Sequence, residues 1–85
     1  MYQLEIRRSA GKYLSQIPKA DQEVISRKIK NLSHDPFPQG YKKMASSKTP
    51  QYIIRVGRYR VVYRVNQREL LIVVVRIGYR KDIYN

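Results

Sequence analysis

Residues 51–84, QYIIRVGRYRVVYRVNQRELLIVVVRIGYRKDIY, decide the fold. β-Branched and aromatic residues fill this stretch, and arginines recur among them with the two-residue period of a strand that is apolar on one side and cationic on the other. Residues 52–56 meet residues 59–65 through Gly57-Arg58, a two-residue connection whose leading glycine suits a type II′ hairpin turn. Residues 66–68 turn the chain again into a third strand over 70–77, so the three successive strands are expected as antiparallel neighbours.

Parity sorts their side chains. On the second strand Tyr59, Val61, Tyr63 and Val65 share one face, and Arg60, Val62 and Arg64 the other; on the first, Ile53 and Arg55 oppose Tyr52, Ile54 and Val56. Burying an unpaired charge is costly, so Arg55, Arg60 and Arg64 are expected on an open face. Arg76 joins them, read as opposite Leu71, Val73, Val75 and Ile77. Surface arginines are common on any sheet, yet four on one side are hard to explain by stability.

Working upstream, residues 31–50, NLSHDPFPQGYKKMASSKTP, read as a loop, because Pro36 and Pro38 forbid regular structure. A solvated connector accounts for most of it. Its length and the cations Lys42, Lys43 and Lys48 equally suit an arm that grips a phosphate backbone. Before it, residues 19–33 predict a helix with Val24, Ile25, Ile29 and Leu32 buried and Arg27, Lys28 and Lys30 in solvent. A shorter helix, capped by Ser9 and ended by Pro18, has Ala10, Tyr13, Leu14 and Ile17 as its stripe. Tyr2, Leu4 and Ile6 alternate with polar residues as an opening strand. The order β-α-α-β-β-β predicts an α+β domain over residues 1–85, an antiparallel sheet with a two-helix hairpin on one face.

The chain carries 18 Lys and Arg against 6 Asp and Glu, a net charge of +12, and 8 tyrosines. This balance favours a polyanionic partner, nucleic acid first, because neutralising phosphates releases counterions. No cysteine and one histidine exclude disulfides, thiolate metal sites and an unaided zinc site. The strands carry no acidic cluster for a two-metal nuclease, and no cofactor is expected. His34, beside Asp35 and Pro36 at a helix end, is better placed to meet the last helical carbonyls than to act as a base. The N-terminus lacks an apolar leader and residues 70–75 are too short to span a bilayer, so no membrane contact and a cytoplasmic location are expected.

YIIRVGRYRVVYRV at 52–65 and RIGYRKDIY at 76–84, together with LSQIPKADQEVISRKI between the helices, resemble the RelE branch of the RelE/ParE toxin superfamily. The resemblance covers nearly the whole chain. It implies a RelE-like fold and a type II toxin, a metal-independent endoribonuclease that enters the ribosomal A site, cleaves mRNA, inhibits translation and is neutralised by a cognate antitoxin. Position by position it implies catalytic roles for Arg60, Arg80 and Tyr84. Arg55 stands where the best-known member has a lysine, and that member's other strand lysine falls on Ile53, so no group is assigned to take the 2′-hydroxyl proton.

Guanidinium groups suit charge build-up on the phosphate, a task for Arg60 and Arg80 with Arg55 in support. Tyr84 is the candidate proton donor or orienting group, its phenolate favoured by neighbouring arginines. Arg58, Arg64, Arg76 and the three loop lysines are candidates for RNA contact, and Tyr79 for stacking on a base. A ParE-like inhibitor of DNA gyrase and a nucleic-acid-binding module without activity stay open as alternatives.

Overall fold

A computed structural model describes residues 1–44 and 48–83 of the chain. Strand β1 (Gln3–Ile6) leads into helix α1 (Arg8–Gln16) and helix α2 (Lys19–Leu32), and four strands follow: β2 (Lys42–Lys43), β3 (Tyr52–Val56), β4 (Tyr59–Asn66) and β5 (Leu71–Tyr79). They form one sheet in the order β1-β5-β4-β3-β2.

The expected helix pair and sheet are present, with local differences at the ends. Helix α1 starts from Arg7 rather than from a Ser9 cap, and no side chain caps it. Pro18 does end it: the residue before a proline is driven out of the helical region, and Ile17 is extended at φ −90°, ψ 166°. The side-chain amide of Gln22 then donates to the carbonyls of Ile17 (2.9 Å) and Ser15 (3.3 Å), which closes the junction between the helices. On α2, Ile25, Ile29 and Leu32 are buried as expected, but Val24 is 44% exposed. The stripe runs i, i+4, i+7 from Ile25, and Val24 lies about 100° around the helix from it.

The sheet is mixed. β2–β3, β3–β4 and β4–β5 are antiparallel, whereas β1 pairs with β5 in parallel, Gln3 opposite Leu71 through Ile6 opposite Val74. The Ser33 carbonyl accepts from the Tyr2 amide at 2.8 Å, which ties the end of α2 beside the start of β1. The chain re-enters the sheet as β2, running against β1, and three successive reversals give β3 and β5 the direction of β1.

The turn between β3 and β4 has the expected glycine at positive φ, 59° at Gly57, with Arg58 outside that region, as a II′ turn requires. The 31–50 segment holds more structure than its prolines suggest. Lys42 and Lys43 pair with Ile53 and Tyr52 as a fifth strand, and the segment is pinned by rings packed at tilted and edge-on angles: Phe37 lies 5.3 Å from Tyr41 and 5.1 Å from Tyr52, and Tyr52 lies 5.9 Å from Tyr63. The Tyr63 hydroxyl donates to the Pro36 carbonyl at 2.7 Å, and burial raises its pKa well above 10.

One irregularity redistributes side chains. Register runs from Val62 opposite Arg76 to Tyr63 opposite Val74, so Val75 is an extra residue in β5, a bulge that flips parity across it. Ile72, Val74 and Ile77 all point into the core under the helices, with Ile25, Ile29, Leu32, Val61 and Tyr63. Leu71 and Val73 consequently share the face of Arg76 rather than opposing it, which corrects the parity read from the sequence.

Candidate nucleic-acid interface

The face away from the helices carries the arginines that alternation assigned to it. Arg55 on β3 lies directly opposite Arg60 on β4, and Arg60 directly opposite Gly78 on β5. The next row is Ile53, Val62 and Arg76, and Arg64 continues β4 beyond it. Like charges directly opposite each other in a sheet are destabilising, so the Arg55–Arg60 pair opposes folding. Among the described residues, the Nε of Arg60 is moreover buried with no hydrogen-bond partner. A buried orphan donor costs about 1–3 kcal/mol.

This face is partly covered by residues 80–83. After β5, the Arg80 amide donates to the Arg58 carbonyl at 2.9 Å, extending the pairing to the β3–β4 turn. The Asp82 amide then donates to the Tyr79 carbonyl at 2.9 Å, a tight turn that sends the chain back over the sheet. Ile83 ends this return 1% exposed, and with Ile53 and Val62 it makes a second, small apolar cluster edged by Met44 and Val75. Ile53, where the resemblance implies a lysine in the best-known member, is the floor of that cluster. A Cβ added at Gly78 would stand 3.1 Å from Ile83 Cδ1 and 3.3 Å from Cγ1, so the glycine leaves the space that Ile83 fills.

The guanidinium groups meet neutral oxygens here. Arg60 Nη1 donates to the Ile83 carbonyl at 3.0 Å, and Arg76 Nη2 to the Asp82 carbonyl at 3.2 Å. Gln51, with its amide oxygen turned toward β4, accepts from Nη2 and Nε of Arg64 at 3.1 and 3.2 Å. Such partners fix the side chains without cancelling their charge.

Arg58, Tyr79, Arg80 and Lys81 line a cleft at the end of the sheet. The structure thus gathers the candidate residues into two neighbouring groups. Arg55, Arg60, Arg64 and Arg76 lie on the face itself, and Arg58, Arg80 and Tyr79 at its end. Tyr79 projects to the helix side, where its ring stacks on Tyr59 at 5.2 Å and 1° between planes. Tyr59 in turn meets Tyr13 edge-on and donates to Asp21 Oδ2 at 2.8 Å; that hydrogen bond, with burial, raises its pKa to about 12. Lys42 shares the arginine face at the sheet edge, opposite Ile53, while Lys43 is opposite Tyr52; both are exposed, as is Lys48. Tyr84 lies outside the described residues, one residue beyond Ile83. Exposed His34 donates its backbone amide to the Asn31 carbonyl at the end of α2, apart from the strands that carry the arginines. Among the described residues no cluster of three or more His, Asp or Glu forms.

The family described as ParE toxin of type II toxin-antitoxin systems matches residues 4–84. An Escherichia coli protein described as a RelE-like toxin is 30% identical over 86 aligned positions, 99% of this chain and 90% of that one. This chain belongs to the RelE/ParE toxins. Its fold superposes on the archaeal RelE–RelB complex of Pyrococcus horikoshii with a TM-score of 0.84 at 26% identity, over 96% of this chain and 98% of that one. The RelBE2 toxin-antitoxin complex of Mycobacterium tuberculosis gives 0.81 at 21% identity, over 93% and 98% of the two chains. The intact E. coli RelBE toxin-antitoxin complex gives 0.79 at 21%, over 93% and 96%.

Two features of this RelE-type toxin escaped the reading of its sequence. Alternation assigns no partner to Ile83, because its burial depends on a turn at residues 79–82 that no local pattern marks. The available signal was Gly78, since a glycine inside a strand often marks close approach by another segment. Gln51 was likewise passed over, as one uncharged residue before a strand.

Proposed function

We propose that this toxin cleaves mRNA in the ribosomal A site and thereby stops translation, acting as one domain over residues 1–85 in the cytoplasm. The observation that carries the proposal is the cost built into the arginine face: opposed Arg55 and Arg60, and a buried Arg60 Nε without a partner among the described residues. A sheet shaped by stability alone would hold neither, whereas a phosphate bound against this face would meet forked donors already in position.

The chemistry is internal transesterification. The 2′-hydroxyl gives its proton to surrounding water as it attacks the adjacent phosphorus, the bond from phosphorus to the 5′ oxygen breaks as a 2′,3′-cyclic phosphate forms, and the 5′ oxygen leaves with a proton. Arg60 and Arg80 stabilise the phosphate oxygens as charge accumulates, Arg55 supports them, and Tyr84 protonates the leaving oxygen or orients the attack. Arg58, Arg64, Arg76, Lys42, Lys43 and Lys48 hold the flanking backbone, and Tyr79 stacks on a base. The partners are the ribosome with its mRNA and a cognate antitoxin; the crystallised RelE–RelB relatives support the antitoxin.

The test is to incubate translating ribosomes with the toxin and map mRNA 5′ ends. Cuts within A-site codons are expected, and intact message would sink the reading. The family description as a ParE toxin favours one second reading, inhibition of DNA gyrase. It predicts intact message with loss of supercoiling activity, and no need for Arg80 or Tyr84.

A further inference from the structure

Ile83 and Gly78 form a peg and socket at the place where residues 80–83 meet the arginine face. Three observations make this a fixture. Ile83 is 1% exposed and belongs to an apolar cluster with Ile53 and Val62. The socket is tight at residue 78, since a Cβ there would stand 3.1 Å from Ile83 Cδ1 and the isoleucine would have to give way by a few tenths of an ångström. The carbonyl of Ile83 accepts from Arg60 Nη1 at 3.0 Å, so the residue that fills the socket also anchors a guanidinium of the site.

We infer that Ile83 is a positioning residue for RNA cleavage, setting the Arg60 guanidinium against the sheet face. The inference rests on the cleavage reading above. The Ile83 carbonyl accepts from Arg60 Nη1 on one side of the return. The Asp82 carbonyl, held by Arg76 Nη2 at 3.2 Å, fixes the approach from the other side. A cover that must lift before RNA binds would use the same contacts with the opposite consequence: loosening it would speed cleavage. The buried apolar cluster and the strand glycine shaped to it favour a permanent seat.

The experiment measures single-turnover cleavage on programmed ribosomes for wild type, Ile83→Ala, Ile83→Val, Gly78→Ala and the pair Gly78→Ala/Ile83→Val. Ile83→Ala and Gly78→Ala are expected to lower the rate constant by about tenfold to a hundredfold. Half-saturating ribosome concentration should stay within about twofold, because the phosphate-holding cations are retained. Ile83→Val alone should stay near wild type. The pair should recover part of what Gly78→Ala loses, since the valine lacks the Cδ1 that would stand 3.1 Å from the new methyl while keeping a γ carbon near it.

Wild-type or faster cleavage by Ile83→Ala overturns the inference, the faster rate pointing to a cover. So does a pair no better than Gly78→Ala, and this comparison decides the matter if Ile83→Ala fails to fold. Absence of cleavage by the wild type itself strikes the proposed function instead, so the two failures are distinguishable.

Discussion

On its helix side the sheet holds Val61, Tyr63, Ile72 and Val74 at zero exposure, and its buried hydroxyls are matched, Tyr63 to the Pro36 carbonyl and Tyr59 to Asp21. On its other side the same strands bury Ile53 and Val62 beneath Ile83, oppose Arg55 to Arg60 and leave Arg60 Nε without an acceptor among the described residues. The strands are shared, so backbone propensity does not account for the contrast. One face carries the stability of the fold, and the other spends a part of it to hold cations ready for an anionic partner.

If that division is real, a substitution on either face should register in one measurement and hardly in the other. The largest effect belongs to Arg60→Ala. Loss of one strong transition-state donor costs on the order of a hundredfold or more in rate, read as cleavage on programmed ribosomes, while the urea midpoint holds or rises. Arg80→Ala and Tyr84→Phe should show comparable losses; wild-type rates in both would displace the assigned site. Ile25→Ala probes the other face. Ile25 is fully buried, and its truncation should cost about 2–5 kcal/mol in urea unfolding, with cleavage per folded molecule unchanged.

A subtler separation comes from pH. Tyr59 holds its proton up to about 12 in the folded chain, chiefly through its hydrogen bond to Asp21, against 10.0 for the ordinary phenol. Between those values the unfolded chain has released the proton and the folded chain has kept it, so stability is intact below about 10 and falls as pH rises toward 12. Tyr63, raised in the same direction by burial, adds to the decline. Tyr59→Phe should therefore flatten the dependence of the urea midpoint on pH in this range without abolishing it; an unchanged slope would detach Tyr59 from the alkaline loss.

Residues 52–65 were legible because alternation, the Gly57 turn and the cost of burying charge are local, and they put Arg55, Arg60 and Arg64 on one face without reference to the rest of the chain. The helix stripe was legible for the same reason at Ile25, Ile29 and Leu32. What was hidden depends on distant segments. Period-two counting cannot cross the extra residue at Val75, so Leu71 and Val73 were assigned to the wrong side although Arg76 was assigned to the right one. Lys42 and Lys43 form a strand because β3 offers an edge and the rings of Phe37, Tyr41 and Tyr52 hold the segment against it. Ile83 looked like the penultimate residue of a motif, and its burial appears only when the chain has turned back over Gly78.

The smallest expected effect tests the contrast most directly. Arg55 is exposed and directly opposite Arg60, so Arg55→Gln removes a cross-strand repulsion while keeping a polar side chain of similar reach. At low salt the variant should gain about 0.2–0.5 kcal/mol in urea unfolding, the scale of such pairs at a surface. Near 1 M salt, where screening acts over about 3 Å, the gain should vanish. Cleavage should fall at the same time, by less than for Arg60→Ala, because Arg55 supports the phosphate from the neighbouring strand. A variant more stable and less active at low salt would tie the repulsion to function at a single residue. Stability unchanged at every salt concentration would mean that the opposed guanidiniums do not strain the sheet, and the cost attributed to this face would then fall on the buried Nε of Arg60.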